Sequence, residues 1–67
     1  MTHGTVAWFD SESGIGGITI DEGEQLVPVH AMNIDGGGRQ SLRVADRVAF
    51  TLLHGPRGPR AGRVWVP

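Results

Sequence analysis

No stretch of this chain keeps the i, i+3, i+4 apolar spacing of a packed helix. Its apolar residues come instead in short alternating runs, broken by glycine, proline and acidic turn residues. Such a pattern points to a small β-sandwich or barrel. The spacing predicts strands over residues 3–10, 15–20, 25–30, 46–53 and 60–66. The first is rich in β-formers, with Thr5, Val6, Trp8 and Phe9. In the second, Ile18 and Ile20 share one face, and Ile15, Gly17 and Thr19 the other. In the third, Val27 and Val29 face one way, and Leu26, Pro28 and His30 the other. Val48 and Phe50 mark the inner face of the fourth strand, and Val64 that of the fifth.

The breaks are as informative as the runs. Residues 11–14 read as a polar turn, and 21–24 as a hairpin turn in which Gly23 can supply a positive φ. Residues 54–59 (HGPRGP) read as a turn whose prolines and glycines forbid a ladder. Residues 31–45 form a long connection, with Gly36, Gly37 and Gly38 at its centre and Ile34 and Leu42 as anchors to the core. Five strands, with a long connection between the third and fourth, predict an all-β fold: a five-stranded antiparallel OB-fold barrel. Pro28 conflicts with a central strand, because it brings no N–H to a ladder; it predicts an edge, a bulge or a local opening.

With 67 residues, one domain over 1–67 is expected. So short a chain buries only about 60% of its unfolded surface. It has no cysteine, so neither disulfides nor thiolate metal sites brace it, as suits a reducing cytoplasm. No apolar run approaches the roughly 20 residues of a membrane span, and the N-terminus lacks the pattern of a signal peptide. A cytoplasmic protein is the expectation.

The net charge of −1 hides an asymmetry. Residues 1–35 carry six acidic residues and no Lys or Arg. Residues 36–67 carry six Arg against Asp46. Arginine suits bidentate phosphate contacts and stacking on bases. In a barrel the two halves interleave, so this asymmetry need not become a two-faced surface. Three histidines, His3, His30 and His54, have no ligand spacing, so no metal is expected. Residues 14–17 read G-I-G-G, but a phosphate-binding loop also needs a lysine and a helix. No nucleophile or acid–base constellation is present, so no cofactor and no catalytic activity are expected.

Gly4-Thr5-Val6-Ala7-Trp8-Phe9-Asp10 is similar to G-x-V-K-W-F-N, the opening of the cold-shock domain family, and the order of the later pieces resembles that family too. Ser13-Gly14-Ile15-Gly16-Gly17-Ile18 falls at its first RNP motif, K-G-F-G-F-I, and Val27-Pro28-Val29-His30-Ala31 at its second, V-F-V-H-F. Ile34, Ser41-Leu42, Val48-x-Phe50 and Gly58-Pro59-x-Ala61-x-x-Val64 follow at family spacing. The likeness covers nearly the whole chain. It implies a barrel that binds single-stranded DNA or RNA, in a family whose members often act as nucleic-acid chaperones. Aromatic side chains on neighbouring strands offer platforms for bases, and basic side chains around them take the phosphates.

The departures gather on that platform. Ile15 and Gly17 stand for the two Phe of the first motif, and Pro28 and Ala31 for those of the second. Arg39 stands where the long loop carries Phe or Tyr, Ala7 and Ser13 where it has Lys, and Asp10 where it has Asn. The interior pattern is kept at Val6, Ile18, Val27, Val29, Val48 and Val64. The resemblance therefore implies a nucleic-acid site at Trp8, Phe9, Ile15, His30, Arg39 and Arg57. Strict alternation would turn Trp8 inward with Val6, whereas the family places it on the binding face; a bulge reconciles the two. Trp65 has no family counterpart, and alternation sets it with Ala61 and Arg63, opposite Val64.

Two readings of function follow. One is a weak binder of single-stranded nucleic acid, acting as an RNA chaperone or expression regulator. The alternative is an OB-fold interaction module that has lost most nucleic-acid binding. Its smoothed face of Ile15, Gly17, Leu26, Pro28 and Ala31 would then meet a protein partner or a second copy in a homodimer.

Overall fold

The computed structural model describes residues 1–35 and 41–67. Gly36, Gly37, Gly38 and Arg39 lie outside the described residues. Five strands carry the fold: β1 (Thr2–Asp10), β2 (Ile15–Ile20), β3 (Leu26–His30), β4 (Arg47–Gly55) and β5 (Gly58–Trp65). A single 3₁₀ turn, Ala31–Asn33, follows β3. All strand pairs are antiparallel, in the order β3-β2-β1-β4-β5. The sheet curls until its end strands, β3 and β5, pack beside each other. Just past β3 an isolated parallel bridge joins Ile34 to Val64, and the Asp35 N–H donates to the Val64 carbonyl at 2.6 Å. This is the expected five-stranded OB-type barrel, and β3 and β5 meet through packing and that bridge.

The core is the expected inner face. Val6, Ile18, Val27, Val29, Val48, Phe50 and Val64 are buried, with Ile34 and Leu42 anchoring the long connection beneath them. The outer residues of β3 (Leu26, Pro28 and His30) are exposed, as alternation requires. Pro28 lies on an end strand of the sheet, which resolves its conflict with ladder bonding.

Two bulges interrupt the alternation. On β1, Val6 pairs with Ile18 while Trp8 pairs with Gly17, so Ala7 is the extra residue. Val6 points into the core, Trp8 points out, and Phe9 returns to pack against the core. On β5, Thr51 pairs with Gly62 and Ala49 with Trp65, which sets two residues of β5, Arg63 and Val64, against one of β4, Phe50. Arg63 takes up the surplus at φ +50, a conformation uncommon for a residue with a side chain. Ala61 and Val64 are therefore both buried, which corrects the placement of Ala61 with Trp65.

The HGPRGP segment also differs from expectation. The β4–β5 ladder continues through His54↔Pro59 to Gly55↔Gly58, and only Pro56 and Arg57 turn. On an end strand every second N–H points away from the neighbour, and proline is tolerated there. Pro56 suits the φ of a first turn position, and Gly58 takes φ +103 without a Cβ to clash.

On the outside, Arg47 grips Asp21 through two bonds, of 2.6 and 2.7 Å, and also donates to Thr5 Oγ1 at 2.9 Å. It ties the start of β4 to the β2–β3 turn. These hydrogen bonds, with the positive charge, hold the Asp21 carboxyl below its ordinary value of 3.8. A lowered native pKa stabilises the fold above that ordinary value, and the effect is lost as pH falls through the native one. The urea midpoint of Asp21→Asn is expected to lie below wild type at pH 7, with the gap closing below about pH 3.8. Phe50, wholly buried, is expected to cost about 3–5 kcal/mol on replacement by Ala, read as a fall in urea midpoint or loss of the folded circular dichroism signal.

Candidate nucleic-acid interface

The ladder registers lay out the outer face of β1–β3 as a grid. One row across the strands is Trp8–Gly17–Pro28, and the next is Asp10–Ile15–His30. Leu26 sits beside Pro28 along β3, opposite Thr19. The β1 bulge delivers Trp8 to this grid. Its side chain is 45% exposed, Ile15 44% and Leu26 54%, so three large apolar groups lie open on one face.

Glycine explains how the indole lies. A Cβ on Gly17 would fall 2.5 Å from Trp8 Nε1, 3.1 Å from its Cδ1 and 3.2 Å from Leu26 Cδ1. The pyrrole edge of the indole therefore rests on the bare backbone of β2, next to Leu26. Phe9 does the same over Gly16 from the other side of the sheet, its Cδ1 only 2.5 Å from where a Cβ would be. Gly17 stands where the resemblance expects a Phe. Its missing side chain is the space that the indole edge occupies.

His30 closes one end of the grid. Its Nδ1 accepts from the Met32 N–H at 3.1 Å, capping the 3₁₀ turn, so the neutral ring carries its proton on Nε2. Cross-strand pairing sets it beside Ile15. Asp10, on the same face, serves the β1–β2 turn. It accepts from the Glu12 N–H and the Ser13 hydroxyl, each at 3.0 Å. Its negative charge stays at the corner of the face.

Beyond β3 the tip of the β4–β5 hairpin rises at the border. Pro28, Pro56, Arg57, Pro59 and Arg60 surround an open depression of about 450 Å³. A neighbouring shallow one of about 200 Å³ is shared by Ile15, Pro28, His30, Asn33 and Arg60. The face thus runs from an indole, over an apolar shelf, to an imidazole and two guanidinium groups. Among the described residues no group of His, Cys, Asp and Glu could hold a metal ion.

The 'Cold-shock' DNA-binding domain pattern matches residues 2–67. The chain belongs to the cold-shock domain family. Similar proteins include cold shock protein CspA of Staphylococcus aureus (44% identical), cold shock-like protein CspLB of Listeria monocytogenes (41%) and cold shock protein CspD of Bacillus subtilis (39%). Each match spans 64 residues, 96% of both chains.

Within this cold-shock domain, Trp8, Ile15, His30 and Arg57 lie on or beside one face. Phe9 is different: it packs against the core from the inner side and supports the face from below. Arg39 lies outside the described residues. Two residues on or beside this face were not among the expected ones. Leu26 stood only on the smoothed apolar face, and its alternation with Pro28 and His30 was the signal that places it here. Arg60 was not among them because residues 54–59 read as a turn without a ladder, so the pairing that carries Arg60, at the start of the fifth strand, to the border of the face went unread. Trp65, 38% exposed and paired with Ala49, borders a separate depression with Met1, Asp35, Thr51 and Arg63.

No helix among the described residues is long and apolar enough to cross a membrane. The indole's seat is testable. In a Trp65→Phe background, Gly17→Ala is expected to lift the Trp8 ring and shift its emission to longer wavelength, with little loss of stability; unchanged emission would contradict the seat on Gly17.

Proposed function

We propose that this protein binds single-stranded DNA or RNA weakly across the outer face of β1–β3, as an RNA chaperone or expression regulator of the cold-shock type. One observation carries the reading: Trp8, Ile15 and His30 share an exposed face whose far border holds Arg57. Trp8 is the stacking platform. His30 offers a second, smaller ring and an Nε2 donor, and Ile15 fills the gap between them. Phe9 holds the face from beneath, and Arg57 takes phosphate.

Magnitudes favour weak binding. Stacking on an aromatic contributes about 1–3 kcal/mol per base. A micromolar complex needs about 8 kcal/mol. One indole and one imidazole supply only part of that, so cations must carry a large share.

A second reading draws support from the open shelf of Trp8, Ile15 and Leu26, which also suits a protein surface. Fluorescence anisotropy of a labelled single-stranded pyrimidine oligonucleotide separates the two. Saturable binding that weakens with salt is expected. Trp8→Ala should weaken it by about 5- to 150-fold. A flat titration from folded protein would defeat the nucleic-acid reading and favour the protein surface.

A further inference from the structure

The described arginines have different surroundings. Arg47 is occupied by Asp21 and Thr5. Arg63 sits on the β5 bulge in a depression with Trp65 and Met1. Arg57 and Arg60 stand on one hairpin, at its tip and three residues further on, and both border the depression that Pro28 also lines. No ion pair joins either of them to an acidic side chain among the described residues. No acidic residue borders that depression or the one shared by Ile15 and His30.

The hairpin also brings the two arginines to one depression. Arg60 pairs with Leu53 on β4, yet its Nη1 lies 3.4 Å from where a Cβ on Gly55 would sit. Its head is thus folded back toward the tip that carries Arg57. Pro56 and Pro59 fix two backbone angles of this arm, so little freedom remains to be lost when it takes hold of a ligand. Arg60, like Pro28, borders both depressions, which puts it between the hairpin tip and the Ile15–His30 end of the shelf.

We propose that Arg60 is a second phosphate-binding residue, acting with Arg57 as a two-guanidinium grip on the backbone of a single strand lying along the shelf. This rests on the single-stranded nucleic-acid reading and goes beyond it. The grip replaces, through charge, part of what Ile15, Gly17 and Pro28 no longer offer through stacking. Because phosphates carry no sequence information, a strand held this way is bound with little regard to its bases.

The test is anisotropy of labelled oligothymidine, oligocytidine and oligoadenosine DNA between 25 and 200 mM salt, on the order of the range over which phosphate contacts are resolved. Arg60→Gln is expected to weaken all three to the same degree and to reduce the slope of log affinity against log salt by about 0.7. Arg60→Lys, which keeps the charge, should keep the slope. Arg63→Gln, whose side chain borders a different depression, should bind like wild type. If wild type binds but Arg60→Gln keeps the wild-type slope, or its loss is confined to one base, the grip is overturned while the nucleic-acid reading stands. If folded wild type binds none of the three, that reading fails and the grip with it.

Discussion

The extra residue at Ala7 is the constraint on which the functional face depends. In a regular strand Val6 and Trp8 would point the same way. Val6 is part of the sealed core, so an unbulged β1 would have to bury an indole in a barrel lined mainly by valine and isoleucine, or expose a valine that the core needs. The bulge avoids both and restores Phe9 to the inside, where it packs on the backbone of Gly16. Its position is fixed from the other side of β1 too. Val6 donates to the Asp46 carbonyl at 2.9 Å and accepts from the Ala45 N–H at 2.8 Å, just before β4 begins. The same strand therefore serves core and surface with consecutive aromatic residues. A second bulge at Arg63 does related work on β5, turning both Ala61 and Val64 inward where the barrel closes against Ile34.

Charge is arranged with the same economy. A −6 half followed by a +5 half suggests a polarised chain, but the fold interleaves the two. Arg47, from the basic half, locks onto Asp21, from the acidic half, and so joins β4 to the turn after β2. Asp10 is committed to its own turn through Glu12 and Ser13. Among the described residues, what remains near the apolar shelf is an acidic corner at Asp10 and a basic border at Arg57 and Arg60. A polyanion meeting such a face is steered toward one border rather than held uniformly, and salt weakens that steering.

Much of this was legible in the sequence, because the inner face obeys a period of two. Val27 and Val29 against Leu26, Pro28 and His30 told the two sides of β3 apart, and Pro28 pointed to an edge, a bulge or a local opening, of which the structure shows the edge. The bulge at Trp8 was legible only by setting alternation against the family pattern. Failures came where local residue chemistry was read without its neighbours. Two prolines and two glycines in 54–59 looked incompatible with pairing, yet an end strand has positions where a missing N–H costs nothing. That misreading concealed the hairpin arm and, with it, Arg60. Ala61 was misplaced because a bulge centred on an arginine carries no glycine to announce it. The resting place of the indole was equally hidden. It depends on a contact between Trp8 and a residue on another strand that has no side chain at all.

That contact changes what the loss of aromatics means. Gly17 removes one base platform, but it also lets the remaining indole settle on the backbone of β2 beside Leu26. An indole held on one edge has fewer rotamers to surrender when a base arrives, so less of its stacking energy is consumed by ordering. The shelf beside it is apolar, and on the proposed reading it would accept any base but read none. A cold-shock domain with Phe at these positions would distribute its affinity over several rings. On the proposed reading, affinity here would be concentrated at one seated ring and at the positive border, with an apolar floor between them. Such a site should favour a flexible strand that can bend from ring to arginines over a stiff or structured one, and its affinity should respond more to ionic strength than to sequence.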